Sequence, residues 1–388
     1  MAANPRLARR INDRLALDLI VAAGRMSRTQ LRELTGLTQP TVIDLVSRLL
    51  SAGLIEAVEE DGPEERRRGR RPQLYAVAGG RAYAAGVHIT GTRITAQIGD
   101  LAGATTPVVA VRRTETDPGR QIATVVAKAF AAAGKPADSL AACVIGTHGV
   151  VDADTGDLGY APDLGSWQAG IRAPVSAALG CQVRLDREIT LAAIAEARLG
   201  AARDLDRFAL LWVGQGLGLS WIDQGAVFRG DHGAAGEVGY LPLPSPTPDP
   251  APPRIFQDLA GSRAIRALAA DHGLHRHTAQ ACVSAAVRSP DGAPFLAELA
   301  ERISLGLHAI TTVMDPGTVI LAGPTAAAGG ETLAGLVEAA LARRSWQPVK
   351  IRTAALPQRS DTPLSGALLV ATDQARDLVW GAASVTRD

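Results

Sequence analysis

Residues 86–95 read Gly-Val-His-Ile-Thr-Gly-Thr-Arg-Ile-Thr, and residues 211–220 read Leu-Trp-Val-Gly-Gln-Gly-Leu-Gly-Leu-Ser. Each stretch has the pattern of a strand, a glycine-containing turn and a second strand. Because the same layout occurs twice, far apart in the chain, the sequence predicts two related lobes with a cleft between them.

Further strands and helices follow these two hairpins. Apolar runs predict strands at residues 85–90, 94–100, 107–113, 140–145, 182–186 and 318–321. Helical periodicity predicts helices at residues 118–133, 173–179, 191–199 and 297–314. This order is typical of the α/β class.

The first 80 or so residues have a different pattern. An initial helix carries apolar residues at helical spacing: Leu7, Ile11, Leu15 and Leu19. Ser27 and Thr38 are predicted N-caps of two more helices, and the second of these should bury Val42, Leu45, Val46, Leu49 and Leu50. Strands at 54–58 and 73–77 follow, joined by an arginine-rich link. Three helices and a hairpin form the layout of a winged helix-turn-helix.

Composition excludes several classes of protein. The chain has 388 residues, is 47% hydrophobic and carries a net charge of +1, which excludes general disorder and a generally basic nucleic-acid coat protein. The three cysteines lie far apart, so neither a disulfide framework nor a structural zinc site is expected. Since no apolar run reaches about 20 residues and no signal peptide is evident, we expect a soluble, cytoplasmic protein.

Motifs in both parts of the chain resemble the ROK family of repressors, open reading frames and sugar kinases. In the N-terminal part they are residues 27–42, residues 49–55 and the Gly-Arg-Arg-Pro at 69–72. In the rest they are Gly91-Thr92, residues 146–152, 161–167 and 214–218, Ala-Gly-Glu-Val-Gly at 235–239, Asp315-Pro-Gly and Ala322-Gly. The resemblance covers nearly the whole chain.

The resemblance implies a domain organisation. Residues 1–80 would form the winged helix-turn-helix, and residues 81–388 a two-lobed α/β domain of the actin-like, RNase H-like kind. Its first lobe would cover about 81–190 plus a C-terminal helix, and its second lobe about 191–365.

The chain departs from the family's kinases where they do chemistry. His88 stands in place of the first phosphate-loop aspartate, although it could simply be a core histidine. Glu188 replaces the catalytic aspartate, and Arg187 and Thr190 replace two sugar-binding asparagines. A general base contributes about 10²–10⁴-fold to a rate. The extra methylene of Glu188 would misplace its carboxylate, and the adjacent Arg187 could pair with it. These departures predict that the protein is not a catalyst. No cofactor is expected.

The same alignment predicts an effector site in the cleft. Its candidate residues are Asp163, Arg187, Glu188, Glu237, Tyr240 and Gln257. The family's cysteine-rich zinc loop is replaced by the proline-rich residues 241–253, so no metal is expected. Because Arg187 replaces an asparagine, we expect a ligand other than plain glucose, and an acidic or phosphorylated sugar is one candidate.

The third helix is predicted to enter the major groove of DNA. Gln39 is the candidate base reader, with Pro40 and Thr41 beside it in the first turn and Ser47 and Arg48 towards the DNA backbone. Gly69, Arg70 and Arg71 resemble short basic elements that lie in narrow minor grooves. The alternative is that the arginine run is a solvated loop.

Three functions remain open at this stage. The leading hypothesis is a DNA-binding regulator, a repressor of carbohydrate-related genes that binds an operator as a homodimer and senses a sugar-derived ligand. The second is a bifunctional sugar kinase with a DNA-binding appendage. The third is a regulator that responds to a protein partner rather than to a ligand.

Overall fold

The structure is a computed structural model, and it describes residues 5–59, 72–114, 117–167, 170–243, 255–356 and 362–383. The chain divides into two compact units. One comprises Met1–Ile145, Arg172–Arg184 and Ala367–Asp388, and the other Gly146–Ile171 and Leu185–Gly366. The domain and lobe boundaries expected from the sequence remain predictions.

The N-terminal part is a winged helix-turn-helix, as predicted. Its elements are α1 (Pro5–Ala23), β1 (Met26–Ser27), α2 (Arg28–Thr35), α3 (Gln39–Ser51), β2 (Ile55–Val58) and β3 (Leu74–Val77). The three strands form one sheet in the order β1-β3-β2. The short strand β1 was not predicted, because two residues are too few to show a period.

The helix caps in this module are only partly as predicted. Ser27 forms a capping box: the Gln30 backbone N–H donates to Ser27 Oγ at 3.3 Å, and the Ser27 N–H donates to Gln30 Oε1 at 2.9 Å. Thr38 occupies the N-cap position of α3, but its side chain makes no cap hydrogen bond. The Thr38 hydroxyl instead lies 2.8 Å from the Thr41 hydroxyl.

The buried face of α1 is not the apolar stripe that begins at Leu7 and that the sequence pattern indicates. Leu7, Ile11 and Leu15 are 54%, 58% and 41% exposed. The core is contacted instead by the neighbouring stripe, in which Leu17 and Ile20 are buried. The spacing therefore identifies a helix correctly, but a helix with two apolar stripes does not reveal which one is covered.

The remaining elements follow in chain order. They are β4 (Tyr83–Ile89), β5 (Arg93–Asp100), β6 (Val109–Arg112), α4 (Pro118–Ala133), β7 (Leu140–Thr147), β8 (Val150–Val151), β9 (Leu158–Tyr160), α5 (Arg172–Leu179), β10 (Gln182–Arg187), α6 (Glu188–Leu199), β11 (Phe208–Val213), β12 (Leu217–Asp223), β13 (Ala226–Phe228), α7 (Phe256–Ala260), α8 (Ser262–Asp271), α9 (Ala279–Val287), α10 (Ala293–Met314), β14 (Thr318–Ala322), α11 (Pro324–Ala342), β15 (Lys350–Thr353) and α12 (Thr362–Ala383).

Two five-stranded sheets share one topology. Their orders are β10-β7-β4-β5-β6 and β13-β12-β11-β14-β15. Numbered along the chain within each sheet, both become 3-2-1-4-5, read from opposite ends. The predicted hairpins are β4–β5 and β11–β12, both antiparallel. The repeated sequence layout therefore corresponds to a repeated fold.

Two predictions for the middle of the chain need correction. Helix α6 begins at Glu188, three positions before the predicted start. The Glu188 carboxylate therefore lies in the first turn of this helix. The helices α7, α8 and α9 were not predicted at all. They are short and rich in alanine, which weakens their hydrophobic periodicity.

Helix α12 packs closely within the first unit. A Cβ on Gly86 of β4 would lie 2.6 Å from the Leu368 backbone nitrogen, so only glycine permits this approach. Further along α12, Arg376 Nε donates to the Leu101 carbonyl at 2.9 Å. Near the end of the helix, Asp377 pairs with Arg14 of α1.

Two sequence-based exclusions concern thiols and membranes. The three cysteines are all free thiols. Burial raises the pKa of Cys143 well above its ordinary value and raises the pKa of Cys181 to about 11, so neither thiol is activated. None of the helices in the described ranges is long and apolar enough to cross a membrane.

Candidate functional site

The outer face of α3 presents the residues expected to contact DNA. Val42, Leu45, Val46 and Leu49 are buried in the module. Their burial fixes the orientation of the helix, so Gln39, Pro40, Thr41 and Ser47 are exposed on other faces. This arrangement fits insertion of the start of α3 into a major groove.

Arg48 is engaged within the module. Its Nη2 lies 2.6 Å from Asp13 Oδ1 of α1, and its Nη1 pairs with Asp44 one turn earlier. The guanidinium therefore ties α3 to α1. Its contact with a DNA phosphate remains a prediction. In such a contact the phosphate would share the guanidinium with Asp13 and Asp44.

The arginine-rich wing falls outside the described residues, and with it Gly69, Arg70 and Arg71. The strands that it joins are described: β2 and β3 are antiparallel, from Ile55 opposite Val77 to Val58 opposite Leu74.

A pocket in the second unit brings together most of the predicted effector residues. Its volume is about 270 Å³, and it is lined by five of the six candidates: Arg187, Glu188, Glu237, Tyr240 and Gln257. The sixth, Asp163, lies in a short helical turn at Pro162–Trp167, and its side chain is not among those that the structure describes. The volume is just below the range of about 300–1,000 Å³ that is usual for ligand sites, so it suits one small ligand.

Local structure explains how these side chains converge. Strand β10 ends at Arg187, and α6 starts at Glu188, which places both at one junction. The turn between β11 and β12 supplies further lining residues, Gln215, Gly216 and Leu217. There Gln257 Oε1 accepts from the Leu217 N–H at 2.9 Å, and its Nε2 donates to the Gln215 carbonyl at 3.4 Å. Gln257 therefore holds this turn in place.

Arg187 and Glu188 do not pair with each other, although they are adjacent. Arg187 Nη2 lies 2.5 Å from Glu237 Oε1, and Nη1 donates to the Ala235 carbonyl. The alternative of a surface ion pair between Arg187 and Glu188 is therefore wrong. The change from strand to helix after Arg187 sends the two side chains in different directions.

Glu188 has a partner that the sequence analysis missed. His148 Nε2 lies 3.0 Å from Glu188 Oε1. The Glu188 side chain is only 6% exposed, whereas His148 is 31% exposed and lines the pocket. A histidine within the family-like segment 146–152 was the available signal. Trp212 of β11, also a lining residue, was likewise not singled out.

Asp152 at the end of that segment stabilises a turn. Its Oδ1 accepts from the Thr155 N–H at 2.8 Å and from the Asp154 N–H at 3.1 Å. The hydrogen bond from the Thr155 backbone, with others, lowers the pKa of Asp152. Its carboxylate therefore holds the turn between β8 and β9.

Two of the histidines outside the pocket, His88 and His272, have surroundings that the structure describes. His88 is 5% exposed within β4. His272 Nε2 lies 3.0 Å from Glu298 Oε2, and this hydrogen bond lowers the pKa of Glu298. Within the described ranges, no three His, Cys, Asp or Glu side chains group as a metal site would require. The described lining of the pocket has one histidine, His148, and no cysteine, so these residues do not fit a zinc ion.

Two family models match the chain. The model described as "ROK family" matches residues 84–374, and the one described as "Winged helix-turn-helix DNA-binding" matches residues 9–56.

Two of the curated relatives are named as transcriptional regulators. The putative xylose repressor of Caldicellulosiruptor sp. (strain Rt8B.4) is 26% identical over 245 residues, 62% of this chain and 60% of the relative. The DNA-binding transcriptional dual regulator NagC of Escherichia coli (strain K12) is 24% identical over 241 residues, 61% of this chain and 59% of the relative. The matched region thus spans about three fifths of these relatives.

Solved structures of two kinds share the fold. A ROK family transcriptional regulator, described as a homolog of the E. coli MLC protein, superposes with a TM-score of 0.78 at 18% identity, covering 98% of this chain and all of the other. A ROK hexokinase from Thermus thermophilus superposes with a TM-score of 0.60 at 25% identity, covering 76% of this chain and 99% of the other.

Proposed function

The chain belongs to the ROK family, and from this we infer that it is a sequence-specific repressor of carbohydrate-related genes whose ROK domain senses a sugar or sugar derivative. The observation that carries the proposal is the union of two modules in one chain. A winged helix-turn-helix at residues 9–56 precedes a ROK domain at residues 84–374. Curated proteins similar to this chain are named xylose repressor and N-acetylglucosamine repressor.

We further propose that the protein binds double-stranded DNA as a homodimer. Helix-turn-helix proteins read two half-sites about one helical turn apart, and a two-fold symmetric dimer matches a two-fold symmetric operator. The exposed start of α3 supports this mode of binding, since its first turn is open to a major groove.

Genome-wide DNA occupancy, measured with and without candidate carbon sources, tests the function directly. We expect a small number of sites beside carbohydrate genes and loss of occupancy with one carbon source. Occupancy without sequence preference would contradict the DNA-binding proposal. Specific occupancy that no carbon source alters would favour the regulator that responds to a protein partner.

Gln39 should read a base in each half-site. Its amide can donate to and accept from adenine, so Gln39→Ala should cost about 1–3 kcal/mol of binding free energy and relax the preference at one position. Fluorescence anisotropy on operators with single-base changes measures both effects. Gln280→Ala, which alters an exposed glutamine at the start of α9, is the matched control. Equal affinities for the two variants would remove Gln39 from the interface.

A sugar kinase is the second candidate function, because a ROK hexokinase shares the fold and Glu188 lines the pocket. We propose that the chain lacks this activity. Glu188 is one methylene longer than the family's catalytic aspartate, and Arg187 fills the place of a sugar-binding asparagine. Phosphoryl transfer requires a positioned base for the attacking hydroxyl.

Catalytic silence is therefore an expected result. Protein supplied with magnesium, ATP and common hexoses should release ADP no faster than a sample without protein. Glu188→Asp should not raise the rate, because Arg187, Thr190 and His88 still differ from the family's kinases. Sugar phosphate formed by the unchanged protein would establish the kinase instead.

A further inference from the structure

Helix α3 carries an apolar side chain on its exposed side. All residues of α3 are described, and among them Ile43 is the one large apolar side chain that is exposed, at 44%. The other exposed residues of the helix are Gln39, Pro40, Thr41, Asp44, Ser47 and Ser51. Isoleucine is a weaker helix former than alanine or leucine, so helix propensity does not account for its presence at an exposed position.

The position of Ile43 matches the part of α3 that is expected to enter the major groove. Helix α2 ends at Gly36 in the left-handed conformation, with φ 67°, and α3 begins three residues later at Gln39. A short turn of this kind joins the helices of a helix-turn-helix, whose second helix places its N-terminal residues against base edges. Residues four apart are neighbours on a helix surface, so Ile43 lies beside Gln39, the candidate base reader.

The chemistry of the groove limits what Ile43 can contact. The base edges in a major groove display hydrogen-bond donors, hydrogen-bond acceptors and one kind of apolar group, the C5-methyl of thymine. An isoleucine side chain has neither a donor nor an acceptor. Placed against a polar base edge, it would displace water and leave that edge without a partner, which is costly. The thymine methyl is therefore the group on a base edge that matches Ile43.

The spacing along the helix restricts where this thymine lies. Four residues of an α-helix span about 6 Å, at about 1.5 Å per residue. Successive bases of one DNA strand are about 3.4 Å apart. A helix that lies along the groove therefore brings Ile43 within about two base pairs of the one that Gln39 contacts.

The charges beside Ile43 do not favour a phosphate at this face. Asp44 follows Ile43 and its side chain is 65% exposed, but its carboxylate pairs with Arg48 one turn later. The same guanidinium lies 2.6 Å from Asp13 Oδ1. One guanidinium between two carboxylates gives this group no net positive charge, so contacts near Ile43 should depend on base edges rather than on phosphates.

We propose that Ile43 is a specificity-determining residue of the DNA interface and that it contacts the C5-methyl group of one thymine in each half-site. The inference rests on the proposed sequence-specific binding and names a second base that the operator contains. An isoleucine next to the buried stripe of α3 has the pattern of a core residue, so the sequence alone does not reveal this role.

Deoxyuridine tests the contact, because it pairs as thymine does and lacks only the methyl group. The full-length chain first selects an operator from random double-stranded DNA. Each thymine position is then replaced by deoxyuridine in both half-sites, and affinity is measured by fluorescence anisotropy. We expect one position at which the replacement weakens binding of the unchanged protein about tenfold.

Variants of Ile43 should change the response to this methyl group. Ile43→Ala should bind the thymine operator about tenfold more weakly and should no longer distinguish it from the deoxyuridine operator, since the two changes remove the same contact. Ile43→Val keeps a branched apolar side chain and should retain most of the preference. The salt dependence of binding should be the same for these proteins, because no phosphate contact is lost.

Ile11→Ala is the matched control. It shortens another exposed isoleucine of the same module, 58% exposed on α1, and should leave the preference for thymine over deoxyuridine unchanged. A variant that only loses stability would weaken binding to both operators alike, so the ratio of the two affinities separates contact from folding.

The remaining outcomes separate this inference from the proposed function. If no thymine position responds to loss of the methyl group, or if Ile43→Ala keeps the full preference, the contact is overturned while operator binding stands. A weaker salt dependence for Ile43→Ala would also contradict a contact with a base edge. If the chain selects no preferred sequence, the proposed sequence-specific binding fails and the inference fails with it.

Discussion

Replacing Gly366 by alanine should destabilise the second unit by about 3 kcal/mol or more, at the upper end of the overpacking range. Gly366 lies near the start of α12. A Cβ there would be 1.9 Å from the Leu191 carbonyl oxygen and 2.5 Å from its carbon. These are backbone atoms of α6, so no side-chain rotation can relieve the clash.

Gly381→Ala is the matched control, since it lies in the same helix with no atom within 4 Å of the added Cβ. Alanine is favoured over glycine in a helix by about 1 kcal/mol, so this variant should be slightly more stable. Melting midpoints from scanning calorimetry measure both changes. If the two variants melt together, α12 does not pack against α6 as described.

Glu196→Ala should cost about 3 kcal/mol or more, because a buried N–H left without an acceptor costs about 1–3 kcal/mol. Glu196 is fully buried near the end of α6. Its carboxylate accepts from the backbone N–H groups of Ala201 at 2.8 Å, Ala355 at 3.1 Å and Leu356 at 3.1 Å. One side chain thus secures two separate loops.

Glu338→Ala provides the graded comparison. Its carboxylate accepts from a single backbone N–H, that of Ile351 at 2.7 Å, so its loss should cost about 1 kcal/mol. Urea unfolding of both variants gives the difference in free energy. Equal losses of unfolding free energy in the two variants would show that the three hydrogen bonds of Glu196 stabilise the fold no more than the single one of Glu338.

The fold was predictable where local pattern and tertiary role agree. The glycine hairpins predicted two related lobes, and the structure has two sheets of one topology. Helix α4 has the bounds predicted from its periodicity. The buried face of α3 was also predicted for Val42, Leu45, Val46 and Leu49, whereas the fifth predicted residue, Leu50, is only partly buried. In α1 the spacing gave the helix but not its orientation, since burial depends on neighbours that the local pattern does not name.

The candidate site was predictable in composition but not in pairing. Five residues chosen by alignment line one pocket, yet their partners were not foreseen. Glu188 contacts His148, which is 40 positions earlier in the chain, and Arg187 contacts Glu237, which is 50 positions later. Such pairs depend on how distant segments pack in three dimensions. The local pattern of a single sequence does not show which segments come into contact.

The contacts of α12 in the first unit also set the order in which the chain can fold. Arg376 reaches back 275 positions to Leu101, and Asp377 reaches back 363 positions to Arg14. A ribosome adds about 5–20 residues per second, so β5 waits on the order of tens of seconds for the helix that packs beside it. Until then the Gly86 face of β4 is uncovered. We expect nascent chains to need protection by chaperones during this interval, whereas the local contacts of the helix-turn-helix can form at once.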